Sequence, residues 1–368
     1  MRLDTKTKAA FDQRGRAGLQ FLGSLQYYSS GALLEQAQRD FDAEPGSAEL
    51  AAEYEGPGDE ATWHERVERA KSSARQVPAY RFNRCYQRYV AEENWVRALT
   101  AVERRREQLA HMAAPTDVEP NERLILNPDI EIPPYFEGVE WHLQPGGLDG
   151  YDLSGPMFFL GIVPYVFSRG GFAAVALNDD IRQQRVEALS QYRHSPIRRI
   201  YDAGSGGAGS MSIFRSMNPD TEIVCGDLSA RLLTDGWRMS ESMGWNMTFR
   251  QEDACHVQEP DASFDAVFSY AVQHEMPQDA TRAMMREMFR ILESGGEIVI
   301  SDPPPFRAVG PMQSAVLEWD TDYRAEPYFT EACLLDLSEV LREAGFVEVE
   351  EYALQEQGYP WITRGIKP

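Results

Sequence analysis

From residue 197 onward the chain alternates short apolar runs with amphipathic stretches, and this alternation constrains the fold more than any other feature. Residues 197–203, 222–225, 247–250, 264–270 and 297–301 are short and rich in β-branched, aromatic or aliphatic side chains, the pattern of buried strands. Helical patterns at 228–243 and 279–292 separate some of them, and a last helix over 331–344 leads into strands at 346–352 and 361–365. Strands joined through helices of about ten to fifteen residues build βαβ units around a parallel sheet. The expectation is an α/β domain over 196–368 with a Rossmann-like, doubly wound, seven-stranded sheet. Ligands of such sheets bind beyond the carboxyl ends of the strands.

The first half reads differently. Residues 1–115 are expected to form a mainly helical domain: Trp63, Val67, Ala70, Ala74 and Val77 recur at three- and four-residue spacing, and Pro78 ends that run. A second stripe, Phe82, Tyr86, Tyr89, Val96, Leu99, Val102 and Leu109, predicts another buried helix face. Residues 44–59, with Pro, Gly and acids, read as an exposed loop. Residues 116–195 combine Pro and Gly punctuation with dense aromatics, among them Tyr135, Phe136, Trp141, Tyr151, Phe158, Phe159, Tyr165 and Phe167, and close on a helix near 179–192. This segment is expected to cap the following domain.

Composition removes several function classes. The 368 residues suggest two units. No apolar run approaches the roughly 18 residues that span a bilayer, and no apolar segment follows the basic N-terminus, so a cytoplasmic protein is expected. Cys85, Cys225, Cys255 and Cys333 are scattered and read as reduced thiols, and without clustered ligands no metal is expected. A net charge of −22 repels phosphate backbones, which argues against nucleic acid and favours a neutral or cationic small substrate.

Five short motifs carry the chemistry. Asp202-Ala203-Gly204-Ser205-Gly206 follows the first strand, where glycines turn the chain sharply and let a ligand approach the backbone. Asp227 and Leu228 end the second strand; a carboxylate there can accept from ribose hydroxyls, or cap the next helix, a task Ser229 could equally perform. Asp253-Ala254 follows the third strand, where a carboxylate can accept from an adenine amino group. Phe264-Asp265-Ala266-Val267 opens the fourth, which ends at Tyr270, and Leu292-Glu293-Ser294-Gly295-Gly296 precedes the fifth.

Jointly and in this order, these motifs resemble the class I S-adenosylmethionine-dependent methyltransferases, closest to the small-molecule group of ubiquinone and menaquinone biosynthesis. The resemblance covers about 197–368 and not the N-terminal half. It implies S-adenosylmethionine as cofactor, with Asp202, Gly204 and Gly206 at its methionine end, Asp227 on the ribose, and Leu228 on the adenine face. It further implies Asp253 and Ala254 at the adenine edge and Tyr270 near the sulfonium. Ala208 stands where the family usually has a third glycine, with Gly209 one place later, which implies a locally adjusted turn.

For the acceptor, His274 follows the fourth strand, and its pairing with Glu275 resembles the base of plant-type O-methyltransferases; substrate contact and plain packing are its other readings. His142 in its aromatic loop, Tyr151, and Trp319, Asp320 and Tyr323 after the fifth strand are candidate substrate contacts, and Arg169 is a candidate for the cofactor carboxylate. His64, His111, His194 and His256 read as surface or packing residues. The helical half offers a homodimer contact. Two rival readings are a nicotinamide-dependent oxidoreductase, from Gly204-x-Gly206-x-x-Gly209 and Asp227, and a non-catalytic cofactor-binding scaffold.

Overall fold

The computed structural model describes residues 10–113, 121–170, 181–355 and 358–368. Its strands are β1 (Leu124–Ile125), β2 (Arg199–Ala203), β3 (Glu222–Asp227), β4 (Thr248–Gln251), β5 (Phe264–Tyr270), β6 (Leu292–Asp302), β7 (Val347–Ala353) and β8 (Trp361–Ile366). They form one sheet in the order β1-β4-β3-β2-β5-β6-β8-β7. All pairings are parallel except β6 with β8 and β7 with β8. The seven expected strands are present. An eighth, two residues long, joins the edge because Leu124 and Ile125 pair with Phe249 and Arg250; so short a strand leaves no periodicity to read.

The sheet is buried on both faces, as parallel strands require. Ile200, Ile223, Cys225, Ala266, Phe268 and Val299 pack with side chains of Ile181–Leu189, Gly209–Met217 and Ala230–Met243. The alternate positions Tyr201, Val224, Val267, Ile298 and Ile300 pack instead with Gln278–Ile291 and Leu337–Ala344. Sequence order reverses between β2 and β5, so the turns after these strands open a crevice at the carboxyl edge. The helix expected over 331–344 is two, Phe329–Leu334 and Leu337–Ala344, because Asp336 adopts extended backbone and caps the second by accepting from the Glu339 amide.

The N-terminal half is helical, with one loop misread. Residues 44–59 contain the helix Ser47–Tyr54, held by the burial of Leu50 and Tyr54. The expected apolar stripe of the long helix Pro78–Glu103 is only partly inside: Val102 is buried, but Phe82, Tyr89 and Val96 are exposed, while Asn83, Gln87, Asn94 and Trp95 are buried. Polar side chains reverse the face because they find partners inside. The Asn83 and Gln87 amides donate to the Ser29 carbonyl and hydroxyl respectively. These helices share a core with the stretch after β6: Trp63, Val67 and Tyr80 cluster with Phe306, Met312, Val316 and Phe329. In the segment expected to cap the second domain, Leu153, Met157, Ile162 and Tyr165 pack against Leu19, Val90 and Trp95 of the N-terminal helices, and Asp149 accepts from the Ser229 hydroxyl. Among the described residues, no helix is long and apolar enough to cross a membrane.

Candidate active site

The turn after β2 is built by backbone constraint. Gly204 sits at φ 71°, and a Cβ there would lie 2.5 Å from Cγ2 of Val272, so only glycine fits. The Gly204 and Ser205 amides both donate to the Gly226 carbonyl at 3.0 Å, tying the turn to β3. Gly206, at φ 53°, donates its amide to Oδ2 of Asp227 at 2.7 Å. Ala208 takes the left-handed conformation usually left to glycine and then starts the helix Gly209–Met217. The adjusted turn expected at this departure is therefore made by alanine in a strained conformation.

Three carboxylates share the cavity that opens at this turn. Asp202 is buried at the end of β2, and its Oδ2 meets no hydrogen-bond donor. Burial pushes its carboxyl up to about 7, with Arg185 opposing and Asp227 reinforcing the rise. Asp227 also accepts from the Ser229 amide at 2.8 Å, and burial raises it to about 6 against these two amide bonds. Asp227 does not cap the next helix; the Ser229 hydroxyl does, by accepting from the Leu232 amide. Asp253 accepts from the Cys255 amide.

All of them line one cavity of about 370 Å³ together with Gly204, Gly206, Leu228, Ala254 and Tyr270, within the range of small-ligand sites. Residues that no motif marks complete this end. Gln184 and Arg185, on Ile181–Leu189, face Tyr270: its hydroxyl donates to the Gln184 Oε1 at 3.2 Å, and the guanidinium lies 4.9 Å from its ring centroid. The Gln184 Nε2 is buried without an acceptor. Position in the sequence gave no signal for these two, because the helix precedes the first motif strand and approaches the turn only by packing.

Away from the turn the cavity is aromatic and acidic, lined by Trp95, Phe136, Phe158 and Phe329 and by His142, His274, Glu275, Asp320 and Glu326, while Tyr135 lies beside Cys255 and Asp253. His274, buried in the short helical turn after β5, places Nδ1 2.7 Å from Oδ1 of Asp302 at the end of β6. Burial alone would depress this imidazole, but the Asp302 carboxylate outweighs it and lifts the group to about 9. His142 reaches the cavity through a left-handed backbone, φ 56°, pinned where its carbonyl accepts from the Trp95 indole at 2.6 Å. Its Nε2 lies 3.0 Å from Glu275, and its Nδ1 is bonded to Glu326. Desolvation opposes protonation of His142, yet the two carboxylates raise it well above its ordinary value. Among the described residues, His142, Glu275 and Glu326 are the one set of three donor atoms close enough for a metal, within 4.8 Å of one another; both ring nitrogens already face carboxylates.

The structure redirects several expected contacts. Tyr151 donates to Glu103 and does not line the cavity. Trp319 and Tyr323 stack on each other at 5.1 Å beneath Arg84 and Arg88, so the helix Pro311–Tyr323 turns Asp320, not its aromatics, to the cavity. Arg169 is also outside the lining, where Arg185 is the one lysine or arginine among the described residues. His64, His194 and His256 lie away from it as well; the side chain of His111 and the start of the helix expected near 179 lie outside the described residues.

Comparison with known proteins bears on the same residues. Residues 200–296 match the model of a methyltransferase domain. The chain contains a class I S-adenosylmethionine-dependent methyltransferase domain. This methyltransferase domain is 30% identical over 131 residues to a demethylmenaquinone methyltransferase of Deinococcus radiodurans, covering 36% of the chain and 53% of that protein. It is 30% identical over 133 residues to the Thermus thermophilus demethylmenaquinone methyltransferase, covering 36% and 59%. The chain thus spans little more than half the length of these curated relatives. Among solved structures, SibL, an S-adenosylmethionine-dependent methyltransferase in its apo form, aligns over 58% of each chain at 18% identity with a TM-score of 0.44. Haemonchus contortus phosphoethanolamine N-methyltransferase 2, solved with S-adenosyl-L-methionine, aligns over 50% of this chain and 52% of its own at 17% identity and 0.42.

Proposed function

We propose that the protein transfers the methyl group of S-adenosylmethionine to a small-molecule acceptor held at the aromatic end of the cavity. The observation that carries this reading is that Asp202, Asp227, Asp253 and the glycine turn line one cavity, with a buried Asp202 oxygen that no protein group satisfies. An unpaired buried carboxylate is costly, and the donor-rich, cationic methionine end of the cofactor would supply its partner. Asp202, Gly204 and Gly206 would hold that end, Asp227 the ribose, Leu228 the adenine face, Asp253 and Ala254 its edge, and Tyr270 the region of the sulfur.

When bound, the cofactor supplies a methyl group on sulfonium, whose charge disperses as the methyl moves in line to the acceptor. The protein's share is positioning, and holding two reactants in line can remove about 7–11 kcal/mol of barrier. The Phe136, Phe158 and Phe329 rings limit water at that end of the cavity. A protonated acceptor must also lose a proton, and His274 is its receiver: Asp302 fixes Nδ1 and leaves Nε2 for the acceptor. The complete set of cofactor-facing residues favours an enzyme over a scaffold, and the acid preceding the glycine turn favours this cofactor over a dinucleotide.

Calorimetry with S-adenosylhomocysteine, followed by its release from S-adenosylmethionine in the presence of candidate acceptors, tests the reading. Absence of both binding and turnover refutes it. The same reading keeps a homodimer contact through the N-terminal helices; the exposed Phe21, Phe82, Tyr89 and Val96 support it, and light scattering of the purified chain tests it.

A further inference from the structure

We infer that the methyl acceptor is a cationic amine, received as its ammonium form between Glu275 and Glu326; this rests on the methyltransferase reading and names the substrate class of that site. The first ground is a charge imbalance. Asp302 is paired with His274 at 2.7 Å and Asp320 with Arg324 at 3.2 Å. Glu275 and Glu326 share the single imidazole of His142. Even with that imidazole protonated, the two carboxylates that line the cavity here outnumber it by one; the buried Arg84 and Arg324 that face Asp320, and Arg324 that faces Glu326, act from behind the lining and do not enter the cavity.

The second ground is independent of the count. Glu326 is only 4% exposed, and its Oε2 has no hydrogen-bond donor. A buried acceptor left unpaired is costly, and an N–H group of the ligand would satisfy it. The third ground is what the cavity lacks. Among its described lining residues, the one lysine or arginine is Arg185, which lies against Tyr270 and Gly209 at the glycine-turn end. No fixed cation at the acceptor end is placed to take a carboxylate or phosphate. Phe329, its ring 5.3 Å from that of His274, and Phe136, packed on Trp141 beside His142, line the same end, and aromatic faces attract ammonium groups. A net charge of −22 draws cations toward the molecule.

The chemistry closes without a further reactant. The ammonium gives one proton to neutral His274, and the freed nitrogen lone pair forms the N–C bond as the C–S bond breaks. The sulfonium becomes a neutral thioether, and the product nitrogen carries the charge away as a methylammonium.

The test is calorimetry on the full chain saturated with S-adenosylhomocysteine, using three matched probes: 2-phenylethylamine, 2-phenylethanol and phenylacetate. The amine is expected to bind about ten-fold or more tighter than the alcohol, as charge-assisted bonds require, with phenylacetate weakest. Glu326→Gln should erase most of that preference while leaving S-adenosylhomocysteine affinity intact; Glu275→Gln serves the same purpose if the first variant folds poorly. An alcohol or carboxylate bound as tightly as the amine overturns the inference, as does failure of the amine to bind, or an unchanged preference in both variants. Failure of S-adenosylhomocysteine itself to bind is a separate outcome, and overturns the methyltransferase reading on which the inference stands.

Discussion

Replacing Asp202 with asparagine should make the ligand-free protein more stable and a worse cofactor binder. The carboxyl ionises near 3.8 in an unfolded chain but near 7 in its buried site, with burial the main cause, Arg185 opposing it and Asp227 adding to it. A difference of roughly three units, at about 1.36 kcal/mol each, sets a penalty on the order of 4 kcal/mol. Its sign and window follow from proton counting. Below about pH 4 the group is protonated in both states and costs nothing. Between there and neutrality the unfolded chain releases the proton while the folded chain retains it, so stability falls as pH rises; above about pH 7 the penalty is constant. Asparagine keeps the shape and cannot ionise, so Asp202→Asn should match the parent near pH 4 and exceed it by up to about 4 kcal/mol near pH 8. Urea denaturation of the ligand-free chain at the two pH values measures this, and calorimetry with S-adenosylhomocysteine should show weakened binding. A variant less stable than the parent near pH 8, or a difference independent of pH, would refute the claim that Asp202 is an unpaired buried acid.

The other expectations are as follows. Asp227→Ala removes an acceptor of charge-assisted bonds contributing about 1.5–3 kcal/mol each, so cofactor affinity should fall about ten-fold or more; unchanged binding in calorimetry removes the ribose role. Gly204→Ala forces a Cβ to 2.5 Å from Val272 at a φ of 71°, so melting temperature and cofactor affinity should both drop, and a parent-like variant would show that the turn relaxes. His274→Ala should cut turnover about 10²–10⁴-fold with cofactor affinity kept; near-normal turnover reduces the residue to packing. Since Asp302, Glu275 and Glu326 outweigh burial and hold His274 protonated up to about 9, the neutral fraction that can accept a proton grows with pH. Turnover should therefore climb about ten-fold per pH unit below that value, and a flat profile would exclude proton transfer to this group.

How much of this was legible beforehand differs between the two ends of the cavity. The glycine-turn end could be read because its contacts are local: a strand end, a glycine turn and a carboxylate each occupy a few consecutive residues, and Asp202, Asp227, Asp253 and Tyr270 fall at the strand ends where the order of elements put them. Alternation along the strands likewise set which residues face which helices, since side-chain direction in a strand has a period of two. The acceptor end could not be read in this way. His142, Glu275 and Glu326 are brought together from three distant segments, and the Asp302 partner of His274 is on another strand. Gln184 and Arg185 belong to a helix whose own pattern says nothing about the turn it covers. The helix Pro78–Glu103 makes the same point through burial: its aromatic stripe promised a core, yet Asn83 and Gln87 are inside because Ser29 is there to receive them. Local backbone preference and periodicity are properties of neighbouring residues, so the sequence alone determined the strands, their turns and the carboxylates at the strand ends. Which charges meet across the cavity, and which helix faces are covered, depends on partners distant along the chain, and only tertiary packing decided it.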